Sequence, residues 1–279
     1  MSGRTNYLPI AFLVALFVSL AIASTTAKKT RLRLATTTST DNTGLLNFIL
    51  PDFEKRFNIK TDVIPVGTGK ALKLAERGDV DVVIVHAPEA EAVFMEAGFG
   101  VNRRAVMINQ FLIAGTPSDP AGLKKAKTLT DALKKIKRSN SVFFSRGDDS
   151  GTHKKELKLW AIVGGPPPKN NYFETGQGME ATLRIAREKE GYTLTDRGTF
   201  LAIGKPLGLI AAFEGNPLLE NPYSIIAVNP SRHPHARYME AMMFIAWITS
   251  PKVQALIGSF KKEGEVLFHP TAVPQEKKN

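Results

Sequence analysis

Residues 143–156 read FFSRGDDSGTHKKE. An arginine, two aspartates, a serine and a threonine crowd between a strand-like pair of phenylalanines and the start of a basic helix. Two further segments share this plan of strand, loop of glycines and hydroxyls, then helix: Thr36-Thr37-Thr38-Ser39 and Val66-Gly67-Thr68-Gly69. The chemistry that suits these residue types is anion binding. A helix start leaves backbone N–H groups without partners and carries partial positive charge. Glycine lets that backbone approach a ligand closely, and hydroxyls add donors that can reorient. Arg146 adds a planar, permanently charged fork that matches an oxyanion. Taken singly, each loop is explained as well by ordinary capping, because Ser and Thr satisfy the same N–H groups. Three such loops together, one with an arginine, point to a shared anion cradle.

Other chemistries fit less well. Ser150 and His153 stand three residues apart on one helix start, and no third group completes a triad. In Gly147-Asp148-Asp149-Ser150-Gly151 the serine is fourth rather than third, so this is not the nucleophile elbow of a hydrolase. A secreted esterase or phosphatase is therefore the weaker class. VGTGKAL falls short of a nucleotide-binding P-loop, with Ile64 where a glycine is required and Ala71 where a serine or threonine is required. His233-Pro-His235 has no third ligand at helical spacing, so no metal is expected. The absence of cysteine excludes disulfides, thiolate metal sites, a cysteine nucleophile and a lipid-anchored cysteine.

The surrounding elements must bring the three loops together. RLRLATTTST reads as a strand entering the first loop. Leu45, Ile49, Phe53 and Phe57 recur every four residues, a helical stripe that Pro51 should kink or split into two short helices. IKTDVIPVG is a second strand, residues 70–77 a helix closed by Gly78, and DVDVVIVHAP a third strand, apolar almost throughout as buried parallel strands are. This alternation is the α/β pattern. Strands follow at 106–117 and around 141–149. A helix after Gly151 should show Leu157, Trp160 and Ala161 on one face until GGPPP at 164–168 stops it. Residues 175–190 read as a helix and 221–230 as a strand. Two closing helices divide at Pro251, with Met239, Met242 and Met243 expected to pack inward beside Phe244 and Trp247. The basic run 123–138 reads as a solvated helix face over Leu129, Leu133 and Ile136, rather than a nucleic-acid or membrane contact. In an open α/β sheet the three loops lie at the carboxyl ends of strands, on one rim.

Composition agrees with this class. The chain has 279 residues, 43% hydrophobic and 23% charged, enough for two lobes or one large domain. A net charge of +11 favours anionic partners. Residues 1–23 have the anatomy of a secretory signal: Arg4, an apolar run from Ile10 to Ala23, and Ala21-Ile22-Ala23 as a cleavage pattern. That run is short for a membrane span, which needs about 20 residues. An exported chain meets little ATP or NAD, so cofactor-dependent enzymes become less fitting.

The segments TTTSTDNTGLLNFILPDFEKRF, VGTGKAL, SRGDDSGTHKKE and GMEATLRIAREKEGYTLTDRGTFL, in this order over residues 31–260, resemble the tungstate-binding proteins of tungstate ABC transporters. Arg-Gly-Asp-x-Ser-Gly-Thr is similar to the loop of phosphate-binding proteins as well, while TTTS and TLTDRGT narrow the resemblance to the tungstate branch. The resemblance implies a type II periplasmic-binding-protein fold: two α/β lobes, each a mixed sheet flanked by helices, joined by two crossover strands. The lobes would be residues 31–113 plus 227–279, and 114–226, with crossovers near FLIAG and SIIAV. Thr37, Thr38, Ser39 and Thr68 would donate hydrogen bonds from one lobe. Arg146, Ser150, Gly151 and Thr152 would donate from the other, with Asp148 and Asp149 holding the loop or orienting Arg146. The implied protein is a monomer that performs no chemistry and needs no cofactor. It delivers tungstate or molybdate to a membrane permease driven by a cytoplasmic ATPase. Phosphate or another oxyanion is the alternative ligand, and a direct aspartate contact would favour hydrogen phosphate. Many relatives are tethered by a lipid-modified cysteine, which this chain lacks.

Overall fold

The computed structural model describes residues 30–272; the expected signal segment at 1–23 lies outside them. The chain begins with β1 (Thr30–Thr37), α1 (Thr38–Thr43), α2 (Leu45–Phe57), β2 (Ile59–Val66), α3 (Thr68–Glu76), β3 (Val82–Val85) and α4 (Pro88–Glu96). β1 is central here. It pairs in parallel with β2 from Thr30↔Ile59 to Thr37↔Val66, and with β3 on its other side. β3 reads VVIV because both its faces are covered. Val82 and Ile84 enter the largest core with Leu32, Leu34, Ile49 and Phe53, while Val83 and Val85 pack with Ala35, Ala71 and Phe94 on the opposite face.

A long strand, β4 (Gly100–Gly115), then leads to α5 (Leu129–Arg138), β5 (Phe143–Ser145), α6 (Gly151–Ala161), β6 (Tyr172–Glu174), α7 (Met179–Glu188), β7 (Thr193–Asp196), the single turn α8 (Arg197–Thr199) and β8 (Ile210–Phe213). The chain returns along β9 (Glu220–Val228) and closes with α9 (Tyr238–Ile248), α10 (Pro251–Ser259), the small hairpin β10 (Lys261–Lys262) and β11 (Glu265–Val266), and β12 (His269–Pro270). β4 and β9 tie the structure together. Gly100–Gln110 of β4 pairs with β9, which also pairs with β3; further along β4, Phe111–Ala114 pairs with β7 and Ile113–Gly115 with β8. The result is two α/β lobes with mixed sheets. The second lobe has its own core of Phe111, Leu129, Leu133, Ile136, Phe143 and Trp160.

Some sequence expectations need correction. Pro51 lies inside one continuous helix, α2, instead of dividing it. Proline removes one backbone hydrogen bond there, and burial of Leu45, Leu46, Ile49, Leu50 and Phe53 holds the helix regardless. α6 buries Thr152, Glu156, Leu159 and Trp160, leaving Leu157 44% exposed, so the apolar face is one residue rotated from the expected Leu157 and Ala161. Met239 and Met243 point outward at 69% and 36% exposure, because α9 uses Ala241, Phe244, Ile245, Trp247 and Ile248 for the core. The basic segment does turn Leu129, Leu133 and Ile136 inward from α5.

Candidate anion-binding site

Three parallel strands end on one edge in the order β2, β1, β3, so the residues following each come together. These are Gly67 and Thr68 after β2, Thr37 to Ser39 at the end of β1, and His86 after β3. From the other lobe, β5 delivers Arg146 and the start of α6 delivers Ser150, Gly151 and Thr152. All ten residues, Thr37, Thr38, Ser39, Gly67, Thr68, His86, Arg146, Ser150, Gly151 and Thr152, line one cavity of about 40 Å³. One water needs on the order of 10–15 Å³, so the space suits a small cluster of oxygen atoms rather than an organic molecule. The lobes nearly touch here: a side-chain carbon on Gly151 would stand 3.8 Å from Thr68 Oγ1 and 3.6 Å from His86 Cε1.

The cavity wall is rich in donors. Thr68 Oγ1 and Arg146 Nε are buried and make no hydrogen bond within the protein. Buried donors normally find an acceptor, so both are poised for one brought by a ligand. Arg146 is held by Asp148, which takes its Nη2 at 2.5 Å and accepts the Ser150 N–H at 3.2 Å through its other oxygen. Burial works to raise the Asp148 carboxyl, but the hydrogen bonds from Ser150 and the charge of Arg146 outweigh it and hold the group below the usual carboxylate range. Asp148 is therefore an ionised brace, with one oxygen on Arg146 and the other on the Ser150 N–H. Asp149 is elsewhere, 3.3 Å from Lys154 with its side chain 85% exposed.

The loop is shaped by its own backbone. Gly147 has φ +59°, and a side-chain carbon there would meet Glu174 Cβ at 2.6 Å, so only glycine fits. Ser150 caps α6 by accepting the His153 N–H at 3.3 Å. His153 Nδ1 in turn accepts the Asp149 N–H at 3.1 Å, so this ring holds the loop. On the first lobe, Thr37 caps α1 by accepting the Thr40 N–H at 3.2 Å. His233 and His235 contact the backbone carbonyls of Glu76 and Gly78, and no group of residues suited to a metal ion occurs among the described residues.

Gly67 belongs to the wall as part of one of the three loops, and His86 belongs to it without having been among the binding candidates read from the sequence. The signal was present in VVIVHAP: His86 follows an apolar strand at the same rim position as the other loops. His86 also lines a second, larger cavity of about 560 Å³ that includes Gly151, Lys154, Lys155 and Lys158. Burial pushes the half-buried Lys155 amine below its ordinary range, helped by the neighbouring charge of Lys158.

Two α/β lobes, two shared strands and a small donor-lined cavity between them define a class: solute-binding proteins that hold a small anion in an interlobe cleft. A model of the PBP superfamily domain matches residues 23–252. The tungstate-binding protein TupA of Peptoclostridium acidaminophilum is 44% identical over 251 residues, 88% of this chain and 88% of that protein. Two solved structures agree. TupA from Desulfovibrio alaskensis G20 is 48% identical with a TM-score of 0.81, covering 88% of this chain and 100% of that one. A Geobacter sulfurreducens structure described as the tungstate ABC transporter is 52% identical with a TM-score of 0.77, covering 82% and 98%. The chain belongs to the PBP superfamily and, within it, to the family of TupA tungstate-binding proteins.

Proposed function

We propose that the protein is an exported receptor that captures tungstate, or molybdate, in the interlobe cleft and hands it to the permease of an ABC transporter. The observation that carries this reading is the cavity of about 40 Å³ with Thr68 Oγ1 and Arg146 Nε buried in its wall without partners. A tetrahedral oxyanion would take these two donors together with hydroxyl and backbone N–H groups of Thr37–Ser39 and of Ser150–Thr152. The anion would exchange its hydration shell for fixed donors, which is binding by domain closure without chemistry. The lobes in this reading are residues 31–113 plus 227–279, and 114–226, with β4 and β9 as the hinge strands.

The lining of the small cavity includes no carboxylate, which favours a ligand that carries no proton. A hydrogen phosphate would need an acceptor for its hydroxyl, and Asp148, turned to Arg146 and Ser150, is not among the residues lining the cavity. Tungstate and molybdate are fully deprotonated at neutral pH and ask only for donors. The signal-like sequence of segment 1–23 supports export, and the permease, its ATPase and a monomeric receptor complete the proposal. The test is isothermal titration of the chain lacking residues 1–23 with tungstate, molybdate, sulfate, phosphate and chromate. The expected result is tight one-to-one binding of tungstate with weak or no binding of phosphate and sulfate. Preferential phosphate binding would refute the donor-only cradle, and heat from none of the five would refute the receptor.

A further inference from the structure

β3 lies between β1 and β9 in the sheet, so a side chain at its carboxyl end can reach both neighbours. His86 does so. Its Nδ1 is 2.9 Å from Asn221 Oδ1 on β9, its Nε2 is 3.1 Å from Thr37 Oγ1 at the end of β1, and its ring stacks on Tyr223 with centroids 4.6 Å apart. Asn221 uses its Nδ2 to donate to Tyr223 Oη at 3.3 Å, which leaves its carbonyl oxygen facing the histidine. His86 Nδ1 is therefore the protonated nitrogen, and Nε2 of the neutral ring is an acceptor. Burial holds the imidazole below its ordinary range despite opposing effects of Asn221 and Asp196, consistent with that neutral form.

This tautomer settles the hydrogens of the first loop. A hydroxyl has one hydrogen to give and two lone pairs to receive. Thr37 gives its hydrogen to His86 Nε2. Its lone pairs accept the Thr40 N–H at 3.2 Å and the Thr40 hydroxyl at 2.6 Å. Thr37 Oγ1 is then saturated. Ser39 Oγ, 3.1 Å away and within hydrogen-bond reach, is then a third donor competing for two lone pairs, and Ser39 lines the anion cavity. A ligand oxygen in that cavity is the better acceptor for its hydrogen. Without an acceptor at Nε2, the Thr37 hydrogen would turn to Thr40 or Ser39 and scramble this order.

We propose that His86 is a positioning residue for anion binding: its bare Nε2 takes the Thr37 hydroxyl hydrogen and thereby reserves the Ser39 hydroxyl for the ligand. The proposal rests on the oxyanion-receptor reading and deepens it, because it makes Ser39, rather than the Thr37 hydroxyl, a side-chain donor of this loop.

The test is a double-mutant cycle read by tungstate titration. Ser39→Ala in the otherwise native chain should weaken binding about threefold to tenfold, the scale of one neutral hydrogen bond. His86→Leu should weaken it comparably, His86→Gln should restore it by presenting an amide oxygen to Thr37, and adding Ser39→Ala to His86→Leu should cost little more. Equal Ser39→Ala losses in both backgrounds, or native affinity in His86→Leu, would overturn the proposal. Asn221→Leu keeps the histidine but frees its tautomer, and it should shrink the Ser39→Ala loss. An unshrunken loss there overturns the proposal even where His86→Leu does not fold. Failure of the unmutated chain to bind tungstate would refute the receptor reading itself. Binding with an additive cycle would refute this inference alone.

Discussion

At the scale of single residues, the site is a set of donors with their acceptors withheld. Arg146 is the largest of these. Its Nη2 is braced by Asp148 while Nε stays buried without a partner. Arg146→Ala should cost on the order of 1.5–3 kcal/mol of tungstate affinity, the range for a hydrogen bond to a charged group. Titration of the variant checks this, and affinity within twofold of the native chain would remove Arg146 from the site. Arginine, serine and threonine were visible as candidates because their loop chemistry is local. His86 was not, because what gives it meaning lies 49 residues away at Thr37 and 135 residues away at Asn221. Its rim position after VVIV was readable, but its two hydrogen-bond partners on the neighbouring strands were not.

At the scale of elements, α6 must hold its first turn against the cavity, and a buried acid helps to anchor it. Glu156 accepts the Tyr172 hydroxyl at 2.7 Å and the Trp160 Nε1–H at 3.2 Å. Burial pushes its carboxyl up from 4.5 to about 7, against the lowering effect of these hydrogen bonds. The folded state thus holds a proton that the unfolded chain releases near pH 4.5. Its stabilising contribution is complete below that pH and is lost as pH rises through about 7. The shift corresponds to about 3 kcal/mol at 1.36 kcal/mol per pH unit. Glu156→Gln should flatten this part of the profile, so the difference in melting temperature between variant and native chain should grow from pH 5 to pH 8. A difference that does not change with pH would contradict the assignment. Elements of this kind were legible to unequal degrees. The VVIV strand declared burial on both faces, and Pro251 opened a new helix as expected. The split expected at Pro51 and the inward packing expected of Met239 and Met243 misled, whereas Met242 does pack against the core; tertiary burial overrode proline's local preference, and flexible methionine tolerates exposure where larger side chains fill the core.

At the scale of the whole molecule, the two lobes meet at the anion cavity and across its mouth. Lys158 Nζ on α6 lies 2.5 Å from Glu89 on α4, but both side chains are more than half exposed, so the pair contributes little to closure. Arg197 and Lys205 also pair with Glu265 across the lobes, at 2.5 and 3.3 Å, and Leu183, Phe200 and Leu201 share an apolar cluster with Leu45 and Phe53. The +11 charge of the chain adds long-range attraction for anions. The alternation of strands and helices was readable from the sequence, whereas the lobe junction depends on the register of β4 with β9 and β7, set by contacts between distant segments. The central claim is that one oxyanion is held between the lobes by donors from both. Crystals grown with tungstate and measured at a tungsten absorption edge test it most directly. The account predicts a single strong anomalous peak in the small cavity, with ligand oxygens within hydrogen-bond distance of Arg146 Nε and Thr68 Oγ1. A peak among Lys154, Lys155 and Lys158 in the larger cavity, or none in the cleft, would contradict it.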